Sequence, residues 1–339
     1  MISIIKRQEL DEKRYSALLL QAAPQPIYTS LHFLDAIAAY TQSKLCFVTK
    51  AEGNRITAAL PFCVYEGKFG PIVNSLPFFG SNGGIVSQEK NPRISQEIID
   101  RLLIYSESID CAAVTIIEPL LNREDAEIYR KFDFKDLRIG LFNEISSHDN
   151  IDSITKSFTS RARNSIAKAV NNGLEVVTSH SDESIDFLAE VHFENMTSAG
   201  RKAKNYNFFT HILNELPSDN WIILEAKLEG KRIASLLLIY NADFVEYFTP
   251  VTLPAFKNLQ PMSLLILHGF IFAREKRIRY WNWGGTWVDQ SGVYQFKTQW
   301  NPVETHYAYH TKILNQAILD LDPNEVMEAY PYFFVYPIK

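Results

Sequence analysis

The chain alternates short apolar runs with amphipathic stretches. LCFVTK, CAAVTIIEP, LRIGLFNEI, WIILEAK, ASLLLIY and RIRYWNW are strand-sized, and PVETHYAYHTK alternates apolar with polar as a half-buried strand does. Helical spacing appears at Met262, Leu265, Ile266, Gly269, Phe270 and Ala273, opening at Pro261 in the favoured first-turn position. Further helices are expected over 92–108, in EDAEIYRKF and around VYQFKTQW. In SFTSRARNSIAKAVNNG, Ile166, Ala169 and Val170 form a narrow apolar stripe, Arg161 and Lys168 share another face, and Gly173 is the stop.

Two distant stretches match at one constant offset. KAEGNRITAAL (50–60) and KLEGKRIASLL (227–237) share Lys50/Lys227, Glu52/Glu229, Gly53/Gly230, Arg55/Arg232, Ile56/Ile233 and Leu60/Leu237. Each lies between strand-like runs, so both read as β-hairpins turning at Glu-Gly. The elements after each hairpin follow the same order: helix, strand, helix, strand. The expectation is an α+β protein made of two copies of one unit, residues 1–150 and 151–339, joined near 148–157. Tyr307, Tyr309, Tyr330, Tyr332, Phe333 and Phe334 are expected to pack the C-terminal tail back on the N-terminal domain.

Charge and composition narrow the function. With 34 basic and 39 acidic residues the net charge is −5, and no basic run offers a face for duplex nucleic acid. No apolar stretch reaches the ~20 residues of a membrane span, and the charged opening MISIIKRQELDEKRYS does not read as a secretory leader. Cys46, Cys63 and Cys111 are too scattered for a disulfide framework or a zinc knuckle, so a reducing cytoplasm is the expected location. His306 and His310 have zinc-like spacing but sit on an alternating strand, about 13 Å apart. No metal is expected. G-x-S-x-G, P-loop and G-x-G-x-x-G patterns are all absent.

Several segments, taken in order, resemble FemAB-type acyltransferases. SRARNSIAKAVNNGLEV is similar to the signature that opens their second domain, and FLAEVHFENMTSAGRKAKNYNFFTHIL to the helical region that follows. GVYQFKTQWNP resembles their F-K segment, and SLPFFGSNGGIV their N-terminal S-x-P-F element. The resemblance runs from about residue 30 to 310. It implies two tandem GNAT-like domains, each a mixed sheet flanked by helices, that transfer an acyl group to a primary amine. Peptidoglycan members take amino acids from aminoacyl-tRNA; sugar-modifying members take an acyl group from coenzyme A and acylate a nucleotide-linked amino sugar.

An amine attacking a thioester or ester needs deprotonation, proximity and stabilisation of the developing oxyanion. The resemblance gives the last role, or the steadying of substrate phosphate, to Lys297. His192, Glu194, Glu246 and Asp289 are candidate bases. RYWNW reads as the end of a central strand that opens to admit the acyl group. Trp281 and Trp283 then lie on one face, Asn282 lies on the other, and Gly284 and Gly285 let a ligand approach the backbone. Tyr247 and Thr249 on the neighbouring strand, with Asn82 and Gly83 of FFGSNGG, complete the candidate substrate-binding set. A GNAT phosphate loop ordinarily carries glycines; here PAFKNLQPMS has none, which leaves Lys257, Gln260 and Met262 as candidate donor contacts at the helix start. The reading that follows is an N-acyltransferase using acyl-coenzyme A and a nucleotide-linked amino sugar in surface polysaccharide synthesis. Aminoacyl-tRNA-dependent transfer to a peptidoglycan precursor stays open, as does a catalytically silent double-GNAT binding module.

Overall fold

The computed structural model describes residues 1–77, 80–121, 123–148, 150–286 and 290–337. They form two compact units, residues 1–139 with 305–339 and residues 140–304. The sequence reading divides the chain near residue 150; the compact units instead return everything from residue 305 onward to the first.

In the first unit the chain runs β1 (Ile2–Lys6), α1 (Glu12–Gln21), α2 (Leu31–Thr41), β2 (Lys44–Glu52), β3 (Arg55–Gly67), β4 (Gly70–Asn74), β5 (Val86–Ser87), α3 (Pro92–Ser108) and β6 (Ala113–Ile117). β7 (Phe134–Glu144) carries the chain into the second unit. There it continues through α4 (Ile151–Ser157), α5 (Ser160–Asn171), β8 (Glu175–Ser179), α6 (Asp182–Ser198), α7 (Tyr206–Glu215), β9 (Trp221–Leu228), β10 (Lys231–Tyr240), β11 (Phe244–Thr252), α8 (Pro261–Glu275), β12 (Tyr280–Thr286) and α9 (Ser291–Thr298). β13 (Val303–Ile313) returns to the first unit, and α10 (Pro323–Ala329) follows.

The repeat read from the sequence is a repeat of topology. β1-β2-β3-β4 is an antiparallel series that ends in a parallel partner, β6. β8-β9-β10-β11 is another, and it ends in parallel β12. In each copy two helices precede the central hairpin and one helix, α3 or α8, makes the crossover between the parallel strands, as such a connection requires. The hairpins differ by one residue. The first turns at Gly53-Asn54, because Glu52 pairs with Arg55; the second turns at Glu229-Gly230, because Leu228 pairs with Lys231. Glu229 and Gly230 have φ of 50° and 77°, the double left-handed conformation of a tight hairpin turn. A register shift follows each turn, with the extra residue, Thr57 or Ile233, on the outgoing strand.

Helix α3 occupies the predicted 92–108 and is capped by Asn91, whose side chain accepts from the amides of Arg93 and Ile94. Two local expectations fail. EDAEIYRKF forms only a 3-10 turn, Ala126–Tyr129, because Asp125 caps it and the following amides bond back three residues rather than four. Val170, assigned to the apolar stripe of α5, is 55% exposed; Ala162, Ile166 and Ala169 are the residues that α5 buries.

In the second unit α8 lies tight on the sheet. A Cβ built on Gly269 would come within 2.6 Å of the Trp281 indole, and Phe270 stacks on the same ring at 4.6 Å. Trp281, Trp283 and Trp300 are all but fully buried. Packing this dense tolerates no extra methyl group. Gly269→Ala should therefore destabilise the chain by about 1–3 kcal/mol, the usual cost of overpacking. Urea unfolding followed by tryptophan fluorescence measures it; an unchanged midpoint would show that the helix can move away.

Candidate functional site

The site begins where two parallel strands stop pairing. β11 and β12 pair at Phe244↔Tyr280, Val245↔Trp281 and Glu246↔Asn282, and β11 continues to Thr252 beyond the last pair. β11 also holds one extra residue against β10: Leu238 faces Tyr247 and Leu237 faces Thr249. This bulge brings Glu246 and Thr249 to the same face, and Tyr247 to the other.

The last rung is polar and buried. Asn282 donates through Nδ2 to both Glu246 carboxylate oxygens, at 2.9 and 3.2 Å, and its Oδ1 accepts from the Gly284 amide at 3.0 Å. Gly284 has φ +70° and open space around its Cβ position, so glycine serves there as both a turn and an opening. Lys297, on α9, is 6% exposed. Its Nζ donates to Thr286 Oγ1 at 2.9 Å and, over longer distances of 3.3 and 3.4 Å, to the carbonyls of Gly284 and Gly285. Burial lowers its pKa from 10.5 to about 8. Glu246, Asn282, the Gly284 backbone and Lys297 thus form one hydrogen-bonded chain.

The aromatic side of the strand is core. Trp281 sits against Gly269, and Trp283 Nε1 donates to Asn143 Oδ1 at 2.7 Å. Both indoles, expected to bind substrate, are buried in packing instead; the neighbouring Gly284 and Gly285 are the accessible part of the segment. Tyr247 packs its ring against Trp283 at 5.1 Å, and burial raises its pKa well above the tyrosine range.

Among the candidate bases, His192 is 8% exposed and its Nε2 accepts from the Lys204 amide at 3.1 Å. Burial lowers its pKa to about 4, so it is neutral near pH 7 with that nitrogen already occupied. Glu194 is exposed on α6. Asp289 lies outside the described residues. Asn82 and Gly83 belong to the first unit, where their loop packs on its own chain: a Cβ on Gly83 would lie 3.2 Å from Ser75 Oγ, and one on Gly84 2.9 Å from the Ile117 carbonyl. Close backbone packing explains these glycines.

Sequence reasoning missed Lys204. It is half-buried, with Nζ 3.1 Å from Thr249 Oγ1 and 4.3 Å from the centre of the Phe248 ring, and Phe208 and Phe209 close by. Among the described residues no carboxylate lies within ion-pair distance, and burial lowers its pKa to about 8. The only available signal was a lysine between two aromatic runs, in KAKNYNFF, which periodicity does not distinguish from a solvated turn.

A pocket of about 370 Å³ opens at the start of α8, lined by Ser160, Arg161, Asn164, Ser165, Lys168 and Gln260. Arg161 and Lys168, placed on one face from the sequence, meet here, and no carboxylate lines the pocket. Of the three expected donor contacts only Gln260 lines it, held left-handed at φ +61°; Lys257 is exposed and Met262 half-buried. Among the described residues no cluster of three His, Cys, Asp or Glu could hold a metal, and no helix is long and apolar enough to cross a membrane.

Residues 156–298 match the family model of the acetyltransferase (GNAT) domain. The structure is similar along most of its length to that of FemX, with 13% identity, TM-score 0.74, and 94% of this chain and 99% of that one covered. It is also similar to L-PGS from Bacillus licheniformis (15%, 0.59, 95% and 96%) and to a tandem GNAT protein from the clavulanic acid biosynthesis pathway (11%, 0.55, 92% and 98%). No curated protein matches the sequence. The second unit carries the matched acetyltransferase (GNAT) domain, and the fold along most of the chain is the one seen in FemX and in the tandem GNAT protein.

Replacing Lys297 by methionine tests how far this lysine is held against stability. The folded chain releases the Lys297 proton near pH 8, whereas the unfolded chain holds it until about 10.4. The penalty for burying the charge is therefore complete below pH 8 and fades as pH rises to about 10.4. Lys297→Met should be more stable than the parent at pH 7, by an amount that shrinks toward pH 10. Urea midpoints at the two pH values measure this; a variant less stable at pH 7 would mean that the three hydrogen bonds outweigh desolvation.

Proposed function

We propose that the protein is an N-acyltransferase that takes an acyl group from a coenzyme A thioester and delivers it to the primary amine of an anionic acceptor, a nucleotide-linked amino sugar. The pocket at the start of α8 carries this reading. Two cations and a left-handed Gln260, the residue that precedes a 15-residue helix, line it without a carboxylate, an arrangement suited to the phosphates of a donor. Pro261 offers no amide at the first helical position, and Arg161 and Lys168 supply charge in its place.

The amine lone pair attacks the thioester carbonyl, the C–N bond forms, the C–S bond breaks, and the sulfur leaves as the thiol with the proton that the amine gives up. Lys297 supports the charge that develops. Its two long hydrogen bonds can be exchanged for one to substrate at small cost, and in so dry a site an ammonium acts strongly. Lys204 favours an anionic acceptor, because an ammonium held among phenylalanines, with no carboxylate in ion-pair distance among the described residues, is satisfied by an arriving phosphate or carboxylate.

The similarity to FemX along nearly the whole chain favours a second reading, aminoacyl-tRNA as donor, since the same pocket would suit nucleic-acid phosphates. Thiol release from a panel of acyl-coenzyme A donors with amino-sugar nucleotides, products read by mass, decides between them. Arg161→Ala and Lys168→Ala should each raise the KM for the thioester at least fivefold with little change in kcat. Lys297→Ala should lower turnover at least tenfold, about 1.4 kcal/mol. No thiol release from any thioester, together with salt-sensitive consumption of charged tRNA, would establish the second reading instead.

A further inference from the structure

The two parallel strand pairs end alike. In the first unit β4 and β6 pair at Ile72↔Ala113, Val73↔Val114 and Asn74↔Thr115, three rungs as in β11 and β12. The ladder stops there, because Ser75 Oγ rather than a main-chain carbonyl accepts the Ile117 amide. The third rung is again polar and buried: Asn74 is 1% exposed and Thr115 is not exposed at all. Thr311 on β13 extends the row, its hydroxyl 2.8 Å from that of Thr115.

What covers the rung differs. In the second unit Asn282 turns to Glu246 and Gly284. In the first, Asn74 reads the main chain of Phe334 at both ends: Oδ1 accepts the Phe334 amide at 2.8 Å, and Nδ2 donates to the Phe334 carbonyl at 2.9 Å. Thr115 Oγ1 donates to the same carbonyl at 3.3 Å. Tyr330 anchors the segment through its hydroxyl on the Gly70 carbonyl, and Phe333 stacks on Tyr65 at 4.9 Å. An apolar segment packed permanently on an apolar face would need none of these polar groups. A side-chain amide paired with both main-chain groups of one residue is how a site reads a ligand's backbone.

We propose that residues 330–336 are a strap that occupies, from within the chain, the first unit's counterpart of the Glu246–Asn282 rung. Asn74 is its latch, and the strap keeps that unit from taking a donor, so the protein binds one acyl donor per chain. The stoichiometry rests on the donor reading above; the latch does not.

Hydrogen–deuterium exchange of the full chain tests the latch. Asn74→Ala and, on the other partner, Phe334→Pro should each speed exchange over 330–337 at least tenfold, while exchange in β9–β12 and turnover stay at parental values. Unchanged exchange over 330–337 in both variants overturns the strap, and so does faster exchange throughout the chain in both. Equilibrium dialysis with coenzyme A should give one equivalent per parental chain. Two equivalents overturn the blockade. No binding at all overturns the donor reading and with it the stoichiometry, and the strap is then judged by exchange alone.

Discussion

Much of the second unit depends on the place where one parallel ladder ends. Parallel strands joined by a helix run side by side only while their hydrogen bonds continue, and between β11 and β12 they last for three rungs. Past Asn282 the backbone needs other partners. Asn282 supplies one to Gly284, and Lys297 takes the carbonyls of Gly284 and Gly285. The opening, the two glycines and the buried ammonium are therefore consequences of a single break in main-chain pairing. The charge at Lys297 sits where unsatisfied carbonyls would otherwise face the protein interior.

The same break occurs in both copies with different outcomes. One ends in a carboxylate, an amide and a lysine; the other ends in an asparagine gripping both main-chain groups of one residue. Duplicated units keep what the fold demands, namely the order of strands and the crossover helix. The polar residues on the final rung are free to diverge, because either set satisfies the backbone. An architecture shared with FemX and with a tandem GNAT protein at 13% and 11% identity fits that division of labour.

Regular periodicity made the fold legible. The span of α3, the start of α8 and the two hairpins follow from apolar spacing and turn residues, which are local signals, although only the second hairpin turns at Glu-Gly and the first at Gly53-Asn54. EDAEIYRKF misled because its charge and alanine content favour a helix that only its flanking caps could have limited. Within the site, Lys297, Asn282 and the two glycines were readable from their crowding in one segment. The tryptophans were misjudged for the same reason, since sequence gives the alternation of faces but not which face a helix covers. Lys204 and the pocket joining Arg161 to Gln260 were beyond reach, because each unites residues from elements far apart in the chain. The β-bulge that turns Thr249 toward Lys204 leaves no mark on hydrophobic pattern.

The contact between Gly269 and Trp281 has a mechanical side. With no side chain between helix and strand, α8 has no slack against the sheet, so a push at either end of the helix is transmitted rather than absorbed. The pocket beside Gln260 lies at one end of that helix, and the indole the helix touches is adjacent in sequence to Asn282. A group seated beside Gln260 therefore works at the end of a stiff lever whose fulcrum is a single missing methyl group.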